Sequence, residues 1–375
     1  MSTLRLAVIH EPEAACLARL AAAGFPAAAA QEIAGYLAQS TDLDAVAAQV
    51  VAEAAAKGVA LEIVALDDAL ARIPAWQAGP VPTVLWPMTD GIAYFRGSHV
   101  GGLARLAGLP AVGSAPLAQH LCQDKFACGM LARSAGIVTP ETALYAGDTF
   151  IAGDRLDGPG PWFVKPNRLG AKTGVFADSC APDLPAALAL CRRIEARYCD
   201  RAVVQRYVAG DDVRVSVLEL DGSIASHAGV FRLAKDPAGE AGGAFMTMRD
   251  NLSLSGASDT QGAVGGFGAR AGLAFTPRLT DLRALARDGD AAASRSVAAI
   301  VDAAERARSL FGLADLFSFD FRVRPDGIPV FLEFEVCPAV TIYDYRTHLQ
   351  AMHGLTLGAA LARLARKALA RGVAL

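Results

Sequence analysis

The densest chemistry in the chain lies in the run Phe319-Asp320-Phe321-Arg322-Val323-Arg324-Pro325-Asp326-Gly327-Ile328-Pro329-Val330-Phe331-Leu332-Glu333-Phe334-Glu335. Read as two strands, its alternation puts Asp320, Arg322 and Arg324 on one face and Phe319, Phe321 and Val323 on the other. On the returning strand Glu333 and Glu335 share a face, while Leu332 and Phe334 point away. A turn at Asp326-Gly327 sets Asp320 opposite Glu333. Three carboxylates and an arginine then gather on one side. Carboxylates that close repel one another unless a cation lies between them. Hard oxygen donors of this kind suit Mg²⁺. The same spacing fits a face of ordinary exposed charges, but the flanks 313–319 and 331–336 are too apolar for a free edge.

Three further segments carry chemistry. In Trp162-Phe163-Val164-Lys165-Pro166-Asn167-Arg168-Leu169-Gly170-Ala171-Lys172-Thr173-Gly174-Val175, Lys165 ends an apolar strand before a loop with two glycines. A lysine there can hold a phosphate as a point charge, and loop N–H groups can cradle one. The phosphate-loop pattern GxxxxGK[ST] is absent. Ala202 to Asp212 is an apolar strand that turns through Gly210 into acids, which suits an adenine and a ribose; a plain strand and turn fits equally. Asp124-Lys125 opens a helix, where a surface lysine is the ordinary reading.

Elements must bring these pieces together. Strands at 4–10, 61–66, 82–87 and 109–113 alternate with helices near 13–23 and 28–57, a pattern that predicts a parallel sheet. Ligand sites of such a sheet lie at the carboxyl ends of its strands, so Glu11 and Glu13 become candidate substrate residues, as does His99 near Arg96. From 121 onward a helix at 124–134 precedes strands at 142–145, 162–166, 174–177, 202–208, 213–220 and 224–232, with a helix at 184–198. Helices are expected at 292–310 and 356–371. The fold class is α/β followed by α+β, in three units: 1–120, 121–205 and 206–375. Residues 234–291 are Gly-, Asp- and Ser-rich with little periodicity, which reads as a lid loop or a disordered one.

With 53% hydrophobic residues and a net charge of −3, the chain suits a folded protein without the basic surface that holds nucleic acid. No stretch is long and apolar enough for a membrane span. Seven cysteines without metal spacing read as reduced core residues in a cytoplasmic setting.

Taken in order, the segments Leu109-Pro110-Ala111-Val112-Gly113-Ser114, Gln123-Asp124-Lys125, Val164-Lys165-Pro166-Asn167-Arg168, Tyr207 to Asp212 and Asp320 to Glu335 resemble the D-alanine–D-alanine ligase branch of the ATP-grasp superfamily. The resemblance spans about 230 residues and implies ATP held between two antiparallel sheets, with a Rossmann-like sheet domain before them. It implies that Lys125 and Lys165 contact ATP phosphates, and that the loop with Gly170, Lys172 and Thr173 closes over the γ-phosphate. Gln205 and Val208 would border the adenine, and Asp212 would take the ribose. Asp320, Glu333 and Glu335 would hold two Mg²⁺ ions, or Mn²⁺ in their place. Apart from the resemblance, Lys235 near the start of the 234–291 stretch is a candidate for another phosphate contact.

Departures fall on the acceptor side. Ser318 stands where the family usually has an arginine that supports the tetrahedral oxyanion, with Arg322 as a substitute. Thr341 to Arg346 replaces the acceptor residues: Asp344 would repel a carboxylate and Arg346 would attract one. The expected reaction is therefore ADP-forming ligation of a small carboxylate to a small amine other than D-alanine. A phosphotransferase acting on a hydroxyl and an ATP-binding regulatory module are the competing readings. A homodimer is among the arrangements the sequence admits.

Overall fold

The computed structural model describes residues 4–41, 46–88, 98–170, 172–220, 228–234, 245, 278–337 and 353–373. The chain begins with β1 (Leu4–His10), α1 (Glu13–Ala22), α2 (Ala27–Thr41), α3 (Ala47–Ala55) and β2 (Val59–Ala65). It continues through α4 (Leu66–Ala78), β3 (Thr83–Pro87), α5 (Ser98–Leu106) and α6 (Pro116–Leu121). The three strands form a parallel sheet in the order β2-β1-β3. Leu4, Leu6 and Val8 pack one face toward Val50 and Ala54 of α3, whereas Ala7 and Ile9 pack the other toward Ala69 and Ile73 of α4. Burial on both faces is why the middle of β1, Leu6 to Ile9, reads as an unbroken apolar run.

The expected fourth strand at 109–113 is only a single parallel bridge from Leu85 to Ala111. Pro110 has no N–H to donate, and Gly113 at φ +102° turns the chain away. The helix expected over 28–57 is two helices, α2 and α3.

Next come α7 (Lys125–Ser134), β4 (Thr142–Ala146), β5 (Thr149–Gly153), β6 (Trp162–Pro166), β7 (Cys180–Ala181), α8 (Leu184–Tyr198) and β8 (Ala202–Arg206). The strands build an antiparallel sheet in the order β5-β4-β8-β6-β7. Asp183 caps α8 by accepting from Ala186 N. The buried stripe Ala187, Leu190, Ile194 and Tyr198 of α8 then packs on Trp162, Val164, Ala202 and Val204. The strand expected at 174–177 is a turn instead: Val175 N donates to Lys172 O and Phe176 N to Ser179 Oγ, so neither N–H is left for a ladder.

The remainder comprises β9 (Asp211–Leu218), β10 (Ala228–Ala234), β11 (Arg278–Asp281), α9 (Leu282–Arg287), α10 (Ala291–Phe311), β12 (Leu316–Val323), β13 (Pro329–Glu335) and α11 (Leu357–Arg371). A second antiparallel sheet runs β11-β10-β9-β12-β13. Ile300, Ala304 and Ala307 of α10 lie on Phe317, Phe319, Phe321 and Phe331, and the Phe311 and Phe334 rings stand 4.4 Å apart. Ring pairs at such separations add to the burial energy of this face. β11 and α9 fall inside the stretch expected to lack strong elements. Asp281 starts α9 by accepting from Arg283 N and Ala284 N, a local signal too short to show as periodicity. Most of that lid candidate, 235–244 and 246–277, lies outside the described residues.

None of the seven cysteines forms a disulfide, and five are buried. Among the described residues no helix is long and apolar enough to cross a membrane.

Candidate active site

The two antiparallel sheets turn their helix-free faces toward one cleft. β6 and β8 contribute Phe163, Lys165 and Gln205; β9, β12 and β13 contribute Asp212, Asp320, Arg322 and Glu333. Its empty volume, open mouth included, is ≈ 880 Å³.

On the carboxylate hairpin, Asp320 pairs in register with Glu333 and Ser318 with Glu335. The register then slips: Phe321 pairs with Phe331, leaving Leu332 as the extra residue of a β-bulge. Leu332 therefore lines the cleft beside Glu333, contrary to the strict alternation expected for it. Phe334 remains in the core. Although the three acids were expected to converge, no three acidic, His or Cys side chains among the described residues are grouped closely enough to hold a metal ion.

Two cations stand among these acids. Lys125 begins α7, whose N-cap Asp124 accepts from Ala127 N. Its backbone N donates to Asn167 O, and Phe126 N donates to Asn167 Oδ1, so the helix start is fastened to the β6 loop. Lys125 Nζ donates to Leu169 O at 2.5 Å and lies 3.1 Å from Glu333 Oε2. Burial alone pushes the Glu333 carboxyl up, but Lys125 and Lys165 outweigh it and hold the group below the usual carboxylate range. Burial pushes Lys125 down, yet Glu333 more than offsets this and the lysine is raised. Lys165 is lowered, chiefly by burial, with Lys125 adding to it against the pull of Glu333.

Lys172 and Thr173 of the glycine loop line the cleft, and Lys172 sits in the left-handed region at φ +61°. Thr173 Oγ1 is buried with no partner. Gly170 accepts from Thr173 N through its carbonyl.

Arg322 is held at the 207–212 turn. Its Nη1 donates to Asp212 Oδ1 at 2.9 Å, Nε to Val208 O at 3.1 Å and Nη2 to Tyr207 Oη at 3.2 Å. The cation beside Asp320 is one that sequence reasoning missed: Arg214 Nε, 3.1 Å from Asp320 Oδ1. Asp212, Arg214 and Ser216 alternate along β9 opposite Arg322, Asp320 and Ser318, so the signal was present but needed the strand pairing to be seen. Tyr207, Phe163 and Phe245 were missed as cleft walls.

Other candidates lie elsewhere. Glu11 is fully buried and takes two hydrogen bonds from Arg19, each 3.0 Å. Glu13 is exposed in the first turn of α1, and His99 is exposed with its ring 5.3 Å from that of His120. None of these three lines the cleft. Lys235, Asp344 and Arg346 lie outside the described residues.

Beneath the loop, buried Asp200 accepts from Arg168 N at 2.7 Å. Burial pushes its carboxyl from an ordinary 3.8 up to about 6. An acid raised on folding burdens the fold once it is ionised. The burden is absent below pH 3.8, grows between 3.8 and about 6, and is complete above that. Asp200→Asn keeps an oxygen for Arg168 N and removes the charge. The mutant is expected to gain on the wild type across that window, by roughly 2–3 kcal/mol at its top. Urea unfolding of both proteins at pH 4 and pH 7.5 checks this; an equal difference at the two pH values would refute it.

No protein-family model matches the chain. A provisionally named D-alanine–D-lactate ligase of Streptomyces coelicolor is 36% identical over 151 residues, which are 38% of this chain and 41% of that protein. A D-alanine–D-alanine ligase of Mycolicibacterium gilvum is 29% identical over 296 residues, 78% of this chain and 71% of its own. The solved D-alanine–D-alanine ligase of Bacillus anthracis complexed with ATP superposes with a TM-score of 0.60 at 16% identity, covering 99% and 98% of the two chains. Two antiparallel sheets facing across such a cleft, behind a parallel sheet, give this chain the ATP-grasp fold that it shares with that solved ligase. In sequence the chain is similar to D-alanine–D-alanine and D-alanine–D-lactate ligases over the stretches just given.

Proposed function

We propose that this chain is an ATP-dependent enzyme that ligates a small amino-acid-like carboxylate to a second small molecule through an acyl-phosphate. The meeting of Lys125, Lys165, Asp320 and Glu333 in one cleft between two antiparallel sheets carries this reading. On it, residues 1–120, 121–205 and 206–375 act as three units around the substrates.

The residues present fit ATP. Lys125 and Lys165 line the cleft and on this reading neutralise phosphate oxygens, and the unpartnered Thr173 Oγ1 has a hydroxyl to donate to one. Gln205, Val208 and the rings of Phe163 and Tyr207 flank a slot for a flat base. Asp212, steadied by Arg322, is oriented for ribose hydroxyls. Arg322 thus acts first as a positioning residue, while Arg214 supplies a cation on the carboxylate face.

Mg²⁺ also fits, because Asp320 and Glu333 offer the one or two carboxylates it normally takes beside phosphates, with Glu335 next along β13. Bound there, the ion would neutralise phosphate charge, and Mn²⁺ could do the same.

The balance of the reaction is simple. A carboxylate oxygen of the first substrate bonds to the γ-phosphorus, the bond to the bridging oxygen breaks, and ADP leaves. The amine of the second substrate then bonds to the acyl carbon, loses a proton, and inorganic phosphate departs with its electron pair. No side chain need become covalently attached. Relatives named for D-alanine and for D-lactate as second substrate support a ligase whose acceptor varies. The replaced residues at 341–346 favour an acceptor other than D-alanine.

The test is phosphate release from Mg²⁺-ATP across a panel of D- and L-amino acids and hydroxy acids, singly and in pairs. Release that needs a particular pair is the expected result and names the substrates. Release with one hydroxyl compound alone, and phosphate transferred to it, would replace ligation with a kinase.

A further inference from the structure

Apart from the cleft, a second cavity of ≈ 160 Å³ lies where α5, α6 and the 109–115 loop meet the ends of α10 and α11. It shares no lining residue with the first. A cavity of about 150 Å³ admits a molecule the size of benzene, so this one admits a ligand of roughly six to eight heavy atoms.

Three observations mark it as built for a ligand. Gln119 of α6 is 3% exposed and lines the cavity, and its Oε1 has no hydrogen-bond partner. A buried acceptor left in that state weighs against the fold. Gly101, inside α5, faces it: a Cβ there would sit 3.1 Å from Gln119 Oε1. Glycine in a helix interior is itself unfavourable relative to alanine, and here it keeps the acceptor open. Arg105, on the same helix, also lines the cavity and is exposed, and among the described residues no carboxylate pairs with it. Arg371 also borders the space but is already engaged by Asp315 through both terminal nitrogens.

The remaining wall includes Leu109, Val112 and Pro116. The ligand chemistry follows. A carboxylate pairs with Arg105, a short branched aliphatic body fills the apolar wall, and a donor reaches Gln119 Oε1. A lone neutral acceptor is a poor host for an ammonium ion, whose desolvation needs more partners, whereas one hydroxyl satisfies it. We propose that this cavity is a second binding site, distinct from the catalytic cleft, for a short-chain 2-hydroxy monocarboxylate. The inference stands independently of the ligase reading.

Racemic 2-hydroxyisovalerate is the probe, with isovalerate, which lacks the hydroxyl, as control. Calorimetric titration of the full chain is expected to give saturable binding of the hydroxy acid, with isovalerate at least about tenfold weaker. Gln119→Leu is expected to weaken the hydroxy acid by about the same factor while leaving isovalerate unchanged. Without ligand, the same substitution is expected to raise the melting temperature, because it removes the unpaired acceptor. Arg105→Ala should weaken both acids alike. No saturable binding to the wild type would overturn the proposal. So would binding of the hydroxy acid that Gln119→Leu leaves intact, which would assign it to another site. A lowered melting temperature for Gln119→Leu would show that Gln119 serves the fold rather than a ligand.

Discussion

Glu333→Ala is expected to lower pair-dependent phosphate release by roughly 10²–10³-fold, and to destabilise the protein as well. Both effects come from one contact. Lys125 has a side chain only 5% exposed and Glu333 one that is 29% exposed, with 3.1 Å between their charges. Truncation leaves a buried ammonium beside a second buried lysine, Lys165, with their shared counter-ion gone. Removing one partner of a buried pair typically costs about 3–5 kcal/mol; the partial exposure of Glu333 places this case toward the lower end. Urea unfolding reads the stability change, and initial rates at saturating substrates read the other. Full activity in a folded Glu333→Ala protein would remove the hairpin from the chemistry. Lost stability with unchanged turnover would make it a structural ion pair.

The second large effect is expected at Gly210. It holds φ +147°, and a Cβ there would lie 2.1 Å from Val323 O and 2.7 Å from Val323 C. Both are backbone atoms of β12, so no side chain can swing aside. Gly210→Ala must push the 207–210 turn off the sheet, with a penalty of roughly 2–4 kcal/mol. The displaced turn carries Tyr207 and Val208, which receive hydrogen bonds from Arg322. ATP affinity is therefore expected to fall about tenfold or more, measured by nucleotide titration. Gly136→Ala is the control: at φ +75° it has nothing within 4 Å of a new Cβ. If the two substitutions destabilise equally, close packing at Gly210 is not the cause.

How far the sequence carried this reading depended on where the information is stored. Asp320 facing Glu333 was legible, because alternation along two short strands and an Asp-Gly turn are local. So was Lys165 at the end of a β-branched and aromatic run. Leu332 was misplaced because a bulge leaves no mark in a hydrophobic pattern. Arg214 was invisible as a neighbour of Asp320, since 106 residues separate them and only the β9–β12 register joins them. α4 was hidden by Pro74 in its interior, and α6 is only six residues long. Glu11 looked available at a strand end, but whether an acid is free or already bound to Arg19 is a tertiary fact.

The extra residue at Leu332 also constrains how this gene can drift. Phe331 and Phe334 both face the core although three positions separate them, and the two residues between them both face the cleft. Side chains along β13 can be exchanged one at a time, as in any strand. Its length cannot: deleting one codon between Phe331 and Glu333 would straighten the strand and turn either the acid or a phenylalanine onto the wrong side. Lineages that keep the reaction should therefore vary this segment in letters while holding its spacing fixed, whereas a lineage that has lost the reaction is free to lose the codon.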